Sequence, residues 1–491
     1  MSTTKNIFQI GWTEADITPD KPVFVSGQFP ARVSEEVLDP LKAIALVMQN
    51  EKEHAVMVCC DLVCISNELR DLVRQKAQAA VSEIDPAKII LNATHTHTAP
   101  EIRPPDPDKG GMAAAGAGVE LEAMPVMEYL EFASARIVEA IAAAWESRAP
   151  GGISYGSGFA VLGRNRRWVD RNGVAMMYGL NEESAERFAH IEGYEDHSVN
   201  LLATYDAENN LTGIIFNAPM TAQETGGLFA ISADIWCEAR QELRKRFGEK
   251  LYIFTQVSAA GELTPKLLYD KATHERMLQL KGITARQEFA NRIANAVEDI
   301  LPHLPQAIEQ NPSFTHLVNT VDLPVNALSE RDVEEAEAEI AKLKKTYEDE
   351  LQKLENNPSL KNEKRWYVPV SQAYRRMNWY RGVILRYEEQ KTQPTLPAEL
   401  HTIRLGDIIF ATNPFEYYVD FGVQIKLRSP ALQTFLVELA GSGSYVPSRR
   451  STQGGGYGSM PASNPIGPEG GQVLAEKTVE LIRSLWEKDI Q

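Results

Sequence analysis

Only four of the 491 residues are cysteine, and their placement excludes two kinds of chemistry. Cys59 and Cys60 are adjacent, Cys64 follows, Cys237 stands alone, and no CxxC pair occurs. A disulfide scaffold or a thiolate zinc site needs spacing that is absent here, so all four read as small buried hydrophobes. The chain also lacks an apolar run of the roughly 20 residues needed to span a bilayer. A basic excess is missing too. The formal net charge of −17 argues against nucleic acid or an anionic membrane as partner, because both attract basic surfaces. Met1 to Gln9 lack the basic and apolar blocks of a signal peptide. This predicts a cytoplasmic protein unless a signal has been removed. No phosphate-loop spacing is present, and the only recurrence is one of strand, helix and strand.

What remains is ordinary globular material, 43 % hydrophobic and 24 % charged. Ala55–Cys60 is an apolar strand, and Ser66 is placed to cap a helix carrying Leu69, Val73, Ala77 and Ala80 at helical spacing. Lys88–Ala93 is the next strand, so the unit is βαβ with parallel strands. Asp61 and His95 then sit at strand ends, where parallel sheets bind ligands. The pattern recurs at Gly213–Asn217, an Asp234-capped helix to about Phe247, and Leu251–Gln256. A hairpin around Gly406-Asp407 leads into Ile408–Ala411, and Thr434–Leu439 follows. Polar clusters mark the exits at 220–223, 258–265, 413–416 and 441–445, as in a site built from loops on a sheet.

These elements predict an α/β fold of mixed and parallel sheets with flanking helices, over residues 1–328 and 392–491. Residues 329–391 read as an inserted antiparallel helical hairpin. Ser329 and Asp332 resemble a capping box there. Val333, Ala336, Ile340, Leu343, Tyr347, Leu351 and Leu354 form one stripe; Ala373, Met377, Tyr380, Ile384 and Tyr387 form a second. A solvated arm is the plain expectation; a lid or a homodimer contact is the functional one. Residues 103–118 and 454–471 have the Gly- and Pro-rich composition of lids, or simply of flexible loops.

The run Ala93-Thr94-His95-Thr96-His97-Thr98-Ala99-Pro100 carries the clearest chemistry. Alternate side chains of an extended backbone point the same way, which predicts that His95 and His97 converge. Two neutral imidazoles aimed at one point suit a divalent metal, or a metal ligand beside a proton-transfer group. Hydrogen-bonded strand ends also contain HxH. The remaining histidines have no partner at metal spacing, with His197 the best exception because Asp196-His197 precedes a strand.

Taken with Gly11-Trp12-Thr13-Glu14-Ala15-Asp16-Ile17-Thr18-Pro19, Asp39-Pro40-Leu41, Ala260-Gly261-Glu262-Leu263-Thr264-Pro265, Pro414-Phe415-Glu416, Tyr445-Val446-Pro447 and Tyr457, that motif resembles the neutral (non-lysosomal) ceramidase family, in its N-terminal catalytic domain. The resemblance covers most of the chain outside the helical insert. It implies a mixed α/β domain and zinc-dependent hydrolysis of an N-acyl amide. It assigns His95, Glu416 and Tyr445 as zinc ligands and His97 as an active-site histidine beside the metal. Arg166 matches a substrate-site arginine, Tyr457 a second tyrosine, and Thr264 stands in place of the catalytic serine. A second zinc histidine is expected near Phe216 to Gln223, where there is none; Met220 or Thr221 stands about there, and Gln223, Asp61 or His97 are candidates to complete the shell. Glu262 replaces an Asn or Asp, and the family's C-terminal β-sandwich has no counterpart after the last helix, Val473–Trp486.

The expected chemistry follows. Metal-activated water attacks, His97 shuttles the proton, Arg166 and Tyr457 bind the oxyanion or a substrate acid group, and Thr264 orients rather than attacks. A small-molecule substrate, more polar than ceramide, is preferred, since nothing marks a groove for two alkyl chains. Two other classes stay open: a glycan-acting hydrolase using Glu262 and Glu416 as paired carboxylates, and a non-catalytic carbohydrate- or lipid-binding protein. Each residue also has a plainer reading. Glu416 and Asp234 suit helix caps, the tyrosines suit packing, Arg164-Asn165-Arg166-Arg167 suits a solvated basic turn, and Asp61 suits orienting a loop.

Overall fold

A computed structural model describes residues 7–106 and 116–487. Part of the glycine-rich loop expected over 103–118, residues 107–115, lies outside that range. Two sheets face one another, with helices on both outer sides. The larger has eight strands in the spatial order Tyr252–Val257, Leu211–Ala218, Ser198–Asp206, Ala149–Phe159, Gln9–Asp16, Lys42–Gln49, His54–Cys60 and Ile89–Ala93. The smaller has four: Phe314–Pro324, Thr395–Leu405, Ile408–Thr412 and Gln433–Val437.

The sequence of one strand shows why the layers form. In Lys42–Gln49, Ile44, Leu46 and Met48 enter the core between the sheets, together with Phe314, Phe410 and Phe435 of the smaller one. Ala43, Ala45 and Val47 point the other way, under the helices Asn67–Ala80 and Val126–Glu146. A strand covered on both faces is apolar throughout instead of alternating, which is why these runs read as continuous. Helices Ile235–Phe247 and Ala285–Ile300 cover the other half of the large sheet, and Val419–Arg428 and Pro468–Glu487 cover the small one.

Most pairings are antiparallel. In the two main sheets the parallel pairs are the two expected from strand, helix and strand, His54–Cys60 with Ile89–Ala93 and Leu211–Ala218 with Tyr252–Val257, and a third, Ile408–Thr412 with Gln433–Val437. Ser66 caps its helix by accepting from the Leu69 N–H, and the Ser329–Asp332 capping box is formed. Ala80, expected on the buried face of the first helix, is exposed.

The helices Glu330–Asn356 and Val368–Glu389 lie between two neighbouring antiparallel strands, Phe314–Pro324 and Thr395–Leu405. They are not a solvated arm. Leu354, Tyr367 and Val370 pack with Ala31 and Ala117, while Ala336, Trp379 and Val383 pack with Leu328 and Ala462. The second helix also buries Val370, Asn378 and Gly382, which the expected stripe omits. Among the described residues no helix is long and apolar enough to cross a membrane.

Candidate active site

The strand exits meet at one end of the sandwich, stitched by backbone bonds. Ser258 N–H donates to Ala218 O, Glu438 N–H to Val257 O, Ala93 N–H to Leu439 O, and Asn413 N–H to Val437 O. The fully buried Glu438 carboxylate accepts from the Tyr417 and Ala260 N–H groups, tying two exits together. Burial pushes this acid well above its usual range.

His95 and His97 converge, with Nε2 atoms 3.1 Å apart. The expected reason is incorrect, however. The strand ends at Ala93, and His95 adopts a left-handed backbone with φ of 64°. The loop turns the first ring onto the second; pleating does not. Non-glycine residues rarely hold this conformation, and they collect at functional sites. Tyr178, another residue of the site, has the same φ of 64°.

His95 Nδ1 faces the Val63 carbonyl at 2.7 Å, so its Nε2 is a free lone pair, 3.5 Å from Glu416 Oε2. His97 bonds the Gly27 backbone on its other side, and the Gln223 amide donates to its Nε2 at 2.9 Å. Burial holds both rings below the ordinary histidine range, His97 far below, although Glu416 pulls His95 upward. Both are therefore neutral. Tyr445, raised by burial and by Glu416, stays a phenol bonded to Glu416 and Tyr457.

Arg166 links the other members. It donates to Tyr178 Oη (2.9 Å), Gln223 Oε1 (3.2 Å), Gly261 O (2.7 Å) and Tyr445 Oη (3.2 Å). The basic run is thus no solvated turn: Arg166 and Arg167 are both buried. Arg167 pairs with buried Glu192 at 2.7 and 2.8 Å and donates to the Tyr457 and Gly455 carbonyls, each at 2.6 Å. It fixes the glycine-rich loop that carries Tyr457. Thr264 is fully buried; its hydroxyl accepts from Tyr178 Oη at 3.2 Å and the Lys266 N–H at 3.3 Å, and no base is bonded to it among the described residues.

His97, Arg166, Gln223, Tyr178, Tyr445 and Tyr457 line a cavity of about 390 Å³, small for a ligand pocket. Phe29 closes one side, its ring 5.2 Å from Trp379 of the inserted hairpin and 5.8 Å from Tyr457.

Two solved structures resemble this arrangement of chain. Neutral ceramidase from Pseudomonas aeruginosa aligns over 99 % of this chain and 75 % of its own, at 17 % identity and a TM-score of 0.66. A ceramidase complexed with C2 aligns over 99 % and 76 %, at 17 % identity and a TM-score of 0.64. The chain has the neutral ceramidase fold. No protein-family model matches it, and neither does any curated protein.

Within this ceramidase fold several expectations are replaced. Of segment 216–223, Met220 is buried in the core under the helices, and Gln223 is the residue that lines the cavity. Asp61 is fully buried against Arg240 at 2.6 and 2.8 Å and accepts from Thr94 Oγ1, so it steadies the histidine loop. Asp234 caps its helix and also accepts from the Glu224 and Thr225 N–H groups, which fixes the Gln223 loop. Glu262, 2 % exposed, accepts from the Val419 N–H at the start of a helix, which weakens the paired-carboxylate reading. His197 pairs with Glu195 at 3.2 Å. Among the described residues no three His, Cys, Asp or Glu side chains group as a metal site; two of that kind, His95 and Glu416, meet beside Tyr445. Sequence reading missed Tyr178, whose signal is only a turn before Gly179, and Arg32, which donates to the Gly226, Leu228 and His97 carbonyls.

Proposed function

We propose that the protein is a metal-dependent hydrolase of ceramidase type that cleaves the N-acyl amide bond of a small or polar substrate. The observation that carries this reading is the meeting of six residues from four distant stretches: His97, Arg166, Tyr445 and Tyr457 line one cavity, and His95 and Glu416 stand directly behind His97 and Tyr445. His95 Nε2 faces a nitrogen and a carboxylate oxygen with no hydrogen of its own to offer, since Nδ1 is bonded to Val63 O. Such a group calls for one positive charge, and burial disfavours a proton on either ring. The donors fit a zinc ion, which His95, Glu416 and Tyr445 would hold. Bound there, zinc supplies a Lewis acid and a water acidic near neutral pH.

The chain's own groups do the rest. His97 is neutral and oriented by Gln223, so it can take a proton and return it to the leaving amine. Tyr457 and Arg166 would donate hydrogen bonds to the developing oxyanion or to a substrate acid group. Thr264 orients Tyr178. The cavity is small, which favours a compact amide over one with two long chains.

The test is zinc content of the purified protein, with Glu416→Ala as control, alongside amine release from a panel of N-acyl amides. One equivalent of zinc, lost in the variant, together with amine release is expected. No metal in either protein after zinc addition, or no release, overturns the reading. Rapid release of fatty acid from ceramide would overturn the preference for a small substrate.

A further inference from the structure

The cavity is positive in a chain whose net charge is −17. Arg166 is 2 % exposed, and its four hydrogen-bond acceptors are two phenols, an amide and a carbonyl, none of them a carboxylate. Its Nε is buried with no partner. Glu416 acts on Arg166 only through space, and its carboxylate accepts a hydrogen bond from Tyr445 instead. Arg32, 1 % exposed and behind His97, is bonded to carbonyl oxygens alone. Lys266 stands exposed on the rim and makes no ion pair among the described residues. Glu224, in the cleft next to it, feels Lys266 without pairing to it. No Asp or Glu lines the cavity among the described residues.

A buried cation without a bonded carboxylate is costly, because the charge has lost water and its hydrogen-bond partners are all neutral. The cost falls when an anion enters. Arginine suits a carboxylate in particular, since its planar fork matches the two oxygens.

We propose that the cavity selects a substrate carrying a free carboxylate close to the scissile amide, as in an N-acyl amino acid, with Lys266 at the mouth as the residue that reads the charge and Arg166 as the inner donor. This rests on reading the cavity as the hydrolase site. A neutral amide of the same size leaves both cations unanswered and binds less well.

Two probes of the same shape separate charge from fit: N-hexanoylglycine and N-hexanoylglycinamide, titrated calorimetrically into the full chain. The acid should bind about ten-fold tighter. That preference should shrink in about 0.5 M salt, where exposed charges are screened. It should fall several-fold in Lys266→Gln and vanish or reverse in Lys266→Glu; Lys266 is exposed, so neither variant threatens folding. Equal binding of the two probes, tighter binding of the amide, or binding of neither overturns the proposal. A preference unchanged in both Lys266 variants overturns the role of that residue. Amine release is followed in the same samples. Charge-selective binding without cleavage would keep this inference and reject the hydrolase, so the two failures are distinguishable.

Discussion

Replacing Arg167 by methionine tests whether the loop bearing Tyr457 is held by one buried ion pair. Arg167 is 0 % and Glu192 3 % exposed as side chains, and the pair is bidentate at 2.7 and 2.8 Å. Methionine keeps most of the stem's volume and removes the charge. Glu192 then keeps only the Ser451 hydroxyl among these partners, while the Tyr457 and Gly455 carbonyls lose their donor. Removing one partner of a buried pair costs about 3–5 kcal/mol, much of it the charge left behind. In urea unfolding followed by fluorescence, this should move the midpoint down by roughly 1 M for a chain of this size. The double variant Arg167→Met/Glu192→Leu should recover most of the loss, because no buried charge remains. A single variant within about 1 kcal/mol of the parent would refute the reasoning and return Arg167 to the solvated turn that its sequence suggests.

Three further outcomes are expected. Burial raises the Glu262 carboxyl from 4.5 to about 8, so the folded state favours the protonated acid. Stability from this group is complete below pH 4.5 and is lost as pH rises toward 8, by up to about 5 kcal/mol. Glu262→Gln should flatten the decline in urea stability between pH 5 and 8, and an unchanged slope would sink this account. Gly27 has φ of 92°, and a Cβ there would lie 2.5 Å from His97 Nδ1. Gly27→Ala should destabilise by about 1–3 kcal/mol and displace the imidazole, visible as a changed His97 resonance by NMR. Trp379→Ala, which removes the ring packed on Phe29 and Tyr457, should cost about 3 kcal/mol. A loss near zero would mean that the hairpin does not brace the cavity.

Much of this protein is determined locally and is therefore legible in the sequence. Ser66, Ser329 and Asp234 cap helices because a short oxygen side chain satisfies the nearby N–H groups whatever lies beyond. Parallel pairing of His54–Cys60 with Ile89–Ala93 follows from the helix between them. The HxH motif pointed to the cavity that His97 lines, and the order of the motifs around it pointed to the ceramidase fold. Tertiary structure alone decided the rest. Nothing local tells a buried arginine from a solvated one, so Arg166 and Arg167 declared themselves only through acceptors such as Gly261 and Glu192, 95 and 25 residues away. The hairpin's stripes predicted helices but not their partners, because a helix face is apolar whichever surface covers it. His95 and His97 meet through a left-handed turn that spacing cannot encode; the surrounding strand exits, closing from four directions, hold it in place.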